Sequence, residues 1–319
     1  MATPLKRTVT VLLLLALVAV PAVICALVGL GELAGSVVLA AVAGLIAAVF
    51  VPLPMSLTAA LLIGIGSGVA VVAADTPWLA ALLMAGCGVA MGFAARAGAA
   101  SAVALAPVAV GFILSEPPAD PAIVVALALL VSAVWGVGLG ALVRRRMPDR
   151  SLTALNPERA AAYGAILALL AGVSGYFVAD LQVGHAGGWL LLTYFVVVQP
   201  YLQNGWRKAV ERAGGTVLGF AIAVLIGVVI DVRTALFVMG LLALILGMWM
   251  WIKGHPYWQN TTAMTVGIVM AEGASTSVIS TAEQRLIATV IGVGASLLAM
   301  ALLRPLYRRE AARVGVDHY

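Results

Sequence analysis

Along most of this chain, apolar runs of about 20 residues, the length of helix that crosses a hydrocarbon core, alternate with short polar turns. Six precede the longest polar stretch, at residues 9–30, 33–51, 57–74, 77–95, 99–114 and 121–143. Six follow it, at 160–179, 188–199, 213–230, 234–252, 258–271 and 282–303. In lipid every backbone N–H and C=O must be satisfied internally, which a helix does within one segment and an open strand does not. The expected fold is therefore all-α, a polytopic membrane protein with twelve transmembrane helices. Composition agrees, with 63% of residues hydrophobic and 10% charged against about 25% charged in an average soluble domain. The eighth and eleventh runs, 188–199 and 258–271, fall short of a full span and would be broken or lengthened by their flanks.

Charge supplies the orientation. If both termini are cytoplasmic, the inner segments hold all 18 Lys and Arg except Arg233 and Arg285, as the positive-inside rule requires. The basic balance therefore reads as topology rather than as a nucleic-acid surface, and the expected place is the cell inner membrane. The first run follows Lys6 and Arg7 and is long enough to span, so it reads as a retained helix rather than a cleaved signal. Cys25 and Cys87 both sit in apolar runs away from any set of metal ligands. No metal or cofactor is expected.

The stretch "RRRMPDRSLTALNPER", residues 144–159, is the one obvious linker. It divides the chain into a first membrane half, 1–143, and a second, 160–319, with a short cytoplasmic tail. An internal repeat is visible: "PWLAALLMAGCGVAMGFAARAG" parallels "TALFVMGLLALILGMWMWIKG", and the halves close on "GLGALVRRR" and "LLRPLYRR". Two six-helix repeats of the same orientation would be related by an axis along the membrane normal.

Only the second half carries charged stripes. "ERAGGTVLG" and "QRLIATVIG" each place Arg, Thr and Gly at i, i+4 and i+7, on one helical face. These are Arg212, Thr216 and Gly219, and Arg285, Thr289 and Gly292. Arginine keeps its charge and is costly to bury alone in a membrane. Its planar fork suits a carboxylate, Thr adds a hydroxyl, and a helix amino terminus, where both arginines are expected to stand, adds partial positive charge. The alternative is a head-group anchor with Thr and Gly as packing residues. Arg285 breaks the positive-inside pattern, so either the arginines mark opposite ends of one path or a short segment is re-entrant; Glu283 lies close enough in sequence to pair with it. A second polar cluster, "GHPYWQNTTAMT", offers Tyr257, Trp258, Gln259, Asn260 and Thr262 to the ring and carboxylate of an aromatic acid, or to an interfacial belt. Asp180 with His185 is the candidate pair for proton coupling.

The region from Trp189 onward resembles the fusaric acid resistance and aromatic acid exporter superfamily, which is related to the plant aluminium-activated malate channels. A Trp helix with a Thr, a Gln-Pro turn and a basic segment ending Arg-x-x-Gly-Thr-x-x-Gly matches Trp189, Thr193, Gln199, Pro200, Arg212, Gly215, Thr216 and Gly219. A second element matches Arg285, Thr289 and Gly292. The resemblance covers residues 159–309, and in the first half rests on layout alone. It implies an inner-membrane exporter of small organic anions, aromatic or hydrophobic carboxylates above all, with a passive anion channel as the alternative and a structural subunit of a membrane complex as the third reading. Substrate contacts are then expected from Arg212, Arg285, Thr216, Thr289, Trp189, Thr193 and the 257–262 cluster. An enzyme is not expected: the three His are scattered and no nucleotide loop or paired acidic motif lies in a span. The expected partners are the anion, the lipid bilayer and, left open, further copies of the chain.

Overall fold

A computed structural model describes residues 4–145, 154–198, 202–230, 232–252, 254–273 and 278–314. Among these, every regular element is a helix: α1 (Pro4–Leu27), α2 (Ala34–Phe50), α3 (Leu53–Ala73), α4 (Pro77–Arg96), α5 (Ala100–Val103), α6 (Leu105–Ser115), α7 (Ala122–Arg144), α8 (Pro157–Leu181), α9 (His185–Val197), α10 (Leu202–Val229), α11 (Arg233–Ile252), α12 (Tyr257–Gly273) and α13 (Val278–Val314), with one 3-10 turn at Gly31–Leu33. Seven helices are long and apolar enough to cross a membrane. The chain is an all-α polytopic membrane protein. It forms two compact units, Met1–Val196 and Val197–Tyr319. These packing units divide the chain at a different point from the sequence halves.

Local sequence sets the helix ends. Prolines at Pro52, Pro77, Pro121 and Pro157 lie at or beside helix starts, where a missing N–H costs nothing. Asn156 caps α8 by accepting from the Arg159 N–H at 2.9 Å. Gly98 and Gly254 follow α4 and α11 at φ +74° and +72°, the left-handed conformation that ends a helix cheaply on glycine. They close the two segments that the sequence comparison pairs.

Three elements differ from the sequence expectation. The fifth run is two helices, α5 and α6, parted at Ala104; Pro107 lacks the N–H that would bond the Val103 carbonyl, so the helix breaks there. The eighth run is a helix of 13 residues, about 20 Å long. The basic segment before Arg212 is helical from Leu202, so it is the opening of α10 rather than a connector. The Gln199-Pro200 turn and most of the linker, residues 146–153, lie outside the described residues.

Glycines let the helices approach where hydrocarbon offers no hydrophobic drive between them. In the first unit, Gly44 lies against Ala133 and Val137, Gly136 against the Ala41 carbonyl, and Gly140 against Leu45 and Ala48, so α2 and α7 run parallel. Gly92 against Gly164, and Gly175 against Ala80 and Met84, show α4 and α8 antiparallel; Gly64 and Gly68 against Leu130 and Ala126 show the same for α3 and α7, and Gly111 with Gly187 against Leu191 and Ser115 for α6 and α9. Arg144, at the end of α7, donates to the Val51 carbonyl just past the end of α2, a cation at a helix carboxyl end as the dipole favours.

In the second unit, α12 runs parallel to α10 and antiparallel to α11, and α13 lies antiparallel to α10, with Gly227 at Val278 and Ala209 in a cluster with Val293 and Met300. Every one of these pairs has the direction that strictly alternating spans would give it.

Gly136 and Gly138 provide a test of this packing. A methyl at Gly136 meets the Ala41 backbone, whereas at Gly138 nothing lies within 4 Å. Gly136→Ala should destabilise by about 1–3 kcal/mol or more and lower the thermal midpoint of purified protein, while Gly138→Ala should leave it near the parent value.

Candidate functional site

The two stripes stand in the second unit, and both are buried. Arg212 is 6% exposed and Arg285 4%, with Thr216 at 1% and Thr289 at 2%. Side chains so enclosed do not sit as exposed head-group anchors do. Glu283 is exposed, two residues and therefore about 200° around α13 from Arg285, on the far side of the helix.

One expectation fails. Arg212 stands more than two turns inside α10, and Arg285 about two turns inside α13. The field of a helix amino terminus fades within its first turn, so neither arginine gains from it. Other groups must answer their charge. Arg212 Nη1 donates to the Tyr257 hydroxyl at 3.2 Å, which turns the α10 stripe toward the start of α12.

The glycines of the first stripe are packing positions. Gly215 abuts the Trp258 carbonyl and Thr261, and Gly219 abuts the Thr262 carbonyl and Thr265. Residues Ala209, Ala213 and Gly227, a third of a turn or so around α10, face α13. Arg212 and Thr216 project between these two faces, into the interior shared by α10, α12 and α13.

The registers fix the depths. In the parallel α10–α12 pair, Tyr257 is level with Arg212, Thr261 with Thr216, and Thr265 with Gly219. In the antiparallel α10–α13 pair, Thr289 comes level with Thr216, Ser296 falls within a turn of Arg212, and Arg285 lies level with Thr265. The result is a polar ladder on three helices, with an arginine toward each end and threonines between. At 1.5 Å per residue the two arginine positions, eight residues apart in register, are about 12 Å apart along the helices.

Three rungs were not legible as site residues in the sequence: Thr261, Thr265 and Ser296, at 4%, 1% and 0% exposure. The signal was present, since Tyr257, Thr261 and Thr265 repeat at i, i+4 and i+8, and Ser296 continues the Arg285 stripe at i+11. Among the described residues, the hydroxyls of Thr216, Thr265 and Ser296 are buried without a hydrogen-bond partner.

The rest of the 257–262 cluster is otherwise engaged. Trp258 is exposed, Gln259 Oε1 lies 3.2 Å from His255 Nδ1, Asn260 Nδ2 donates to the Gly247 carbonyl of α11 at 2.7 Å, and Thr262 donates to the Trp258 carbonyl of its own helix at 2.8 Å. Trp189, Thr193, Asp180 and His185 belong to the first unit. There Trp189 packs edge-on against Phe112, centroids 4.8 Å apart, and Thr193 donates to the Trp189 carbonyl at 2.8 Å. His185 Nε2 lies 2.6 Å from Glu116 Oε2, both side chains about half exposed, and Asp180 is exposed.

An all-α polytopic membrane protein with guanidinium and hydroxyl groups lining a three-helix interior is the class these features define. Residues 160–299 match the family model described as fusaric acid resistance protein-like, a similarity that suggests a membrane transporter of the efflux type. No curated protein and no solved structure matches the chain.

The Arg212–Tyr257 bond can be tested by removal. A hydrogen bond to a charged group contributes about 1.5–3 kcal/mol, so Tyr257→Phe should lower the thermal midpoint. Gln259→Ala, which removes only an exposed contact to His255, should change it little.

Proposed function

We propose that the chain is a twelve-span inner-membrane transporter, both termini cytoplasmic, that exports small organic anions, aromatic or hydrophobic carboxylates above all. The observation that carries this reading is the burial of Arg212 and Arg285 among apolar helices beside hydroxyls with no partner among the described residues. A carboxylate leaving water loses hydration that a guanidinium fork and hydroxyl donors replace. Thr216 and Thr289 line the path between the arginines, and Tyr257 meets the anion at the Arg212 end. The family match supports transport of the efflux type; the alternating directions of the packed helices support twelve spans.

The repeat has support of the same kind. The third span packs on the fifth and sixth in the first half, and the ninth on the eleventh and twelfth in the second. The paired glycines Gly98 and Gly254 set an offset of 156 residues, which brings Leu129, Ala133, Gly136 and Gly140 to the places of Arg285, Thr289, Gly292 and Ser296. At that offset the first half has an apolar face where the second has a polar one.

A passive anion channel is the second reading, favoured by the different depths of the two arginines, because sites in series serve conduction as well as carriage. Saturating, counterflow-stimulated uptake marks a carrier, and uptake without counterflow marks a channel.

Arg285 is the sharper test of anion binding. Loss of a charge-assisted bond of about 1.5–3 kcal/mol corresponds to roughly tenfold or more in rate. Labelled benzoate uptake into proteoliposomes should therefore fall by about that factor for Arg285→Ala. Arg285→Lys keeps the charge without the fork and should be intermediate. Equal rates in parent and both variants at matched protein would remove Arg285 from the path.

A further inference from the structure

The hydroxyls of Thr216, Thr265 and Ser296 come from three different helices, are each at most 1% exposed, and meet no partner among the described residues. A helical threonine ordinarily satisfies its hydroxyl on the carbonyl four residues back, as Thr262 does on Trp258 and Thr193 on Trp189. Thr216 and Thr265 do not take that bond. A buried donor left open is destabilising, and here three such donors lie on one ladder: Thr216 between the arginine positions, Thr265 level with Arg285, and Ser296 within a turn beyond Arg212. A ligand or ordered water that accepts from them is the physical resolution.

Resting on the transport reading above, we propose that α12 forms the third wall of the anion path. On this proposal Arg212 and Arg285 are two separate carboxylate stations, the hydroxyls of Thr216, Thr261 and Thr265 replace the anion's hydration as it moves between them, and that of Ser296 does so on the far side of the Arg212 station. The two arginine positions stand about 12 Å apart along the helices, at different depths, so on this proposal the anion occupies the stations in turn. Tyr257 donates or accepts at the Arg212 station, while Thr265 stands level with Arg285 and serves that one. The family pattern marks none of Thr261, Thr265 and Ser296; their burial and register do. The ligand chemistry is that of a carboxylate: every group described on the ladder donates hydrogen bonds, and none is an acid.

The test compares parent, Thr265→Val, Thr265→Ser and Thr262→Val, each as the full chain in proteoliposomes, with labelled benzoate and with chloride as probes. Thr265→Val keeps the shape and deletes the hydroxyl, so benzoate uptake should fall by about five- to tenfold, the effect of one hydrogen bond. Thr265→Ser keeps the donor and should stay within about twofold. Thr262→Val, whose hydroxyl serves its own helix, should match the parent. The thermal midpoint of Thr265→Val should equal or exceed the parent's, because an unanswered buried hydroxyl has been removed. Undiminished benzoate uptake by Thr265→Val in a working parent overturns the proposal and leaves water as the hydroxyl's partner. Equal losses in the Val and Ser variants also overturn it, since packing rather than hydrogen bonding is then at stake. A parent that moves neither benzoate nor chloride sinks the transport reading itself, and the proposal with it.

Discussion

A fixed charge among apolar helices is tolerable only where the surrounding groups answer it, and the second unit is organised by that requirement. Arg212 and Arg285 are more deeply buried than many of the leucines around them. The first reaches the Tyr257 hydroxyl. To bring Tyr257 and the threonines behind it within reach, α12 must lie close against α10, and Gly215 and Gly219 permit this because a side chain at either would strike the α12 backbone or Thr265. The stripe thus has two jobs on neighbouring faces: glycine sets the distance between helices, and arginine and threonine fill the interior that the distance creates.

In the first half, α7 shows what such a face becomes without the charge. There, Ala133, Gly136 and Gly140 of α7 pack directly onto α2 at Ala41 and Leu45. Their counterparts by the 156-residue offset are Thr289, Gly292 and Ser296. Replacing hydroxyl by methyl or hydrogen turns a face that needs polar company into one that can close on a neighbouring backbone.

Much of this was legible in the chain. Runs of apolar residues located every described helix but misjudged α5 and α6, because the effect of Pro107 falls one turn upstream of the proline itself. The stripes at Arg212 and Arg285 were legible because arginine in an apolar run stands out. Thr261, Thr265 and Ser296 did not, since a small hydroxyl residue in such a run is ordinary until its neighbours are known. The helix-terminus argument misled for a related reason: residues 202–212 are polar enough to resemble a connector, yet they continue α10 inward, and the amino terminus moved with them. Register between distant helices, which sets the depths of the two arginines, is a tertiary fact that no local pattern carries.

The central claim is that this interior carries anions. Solid-supported-membrane currents from proteoliposomes of the parent chain test it most directly, with benzoate, a dicarboxylate and chloride applied in turn, with and without a pH gradient. The account predicts a current with the sign of entering negative charge, largest for benzoate and saturating with its concentration. Absence of current for all three anions under either condition, with protein shown to be folded and inserted, would contradict it.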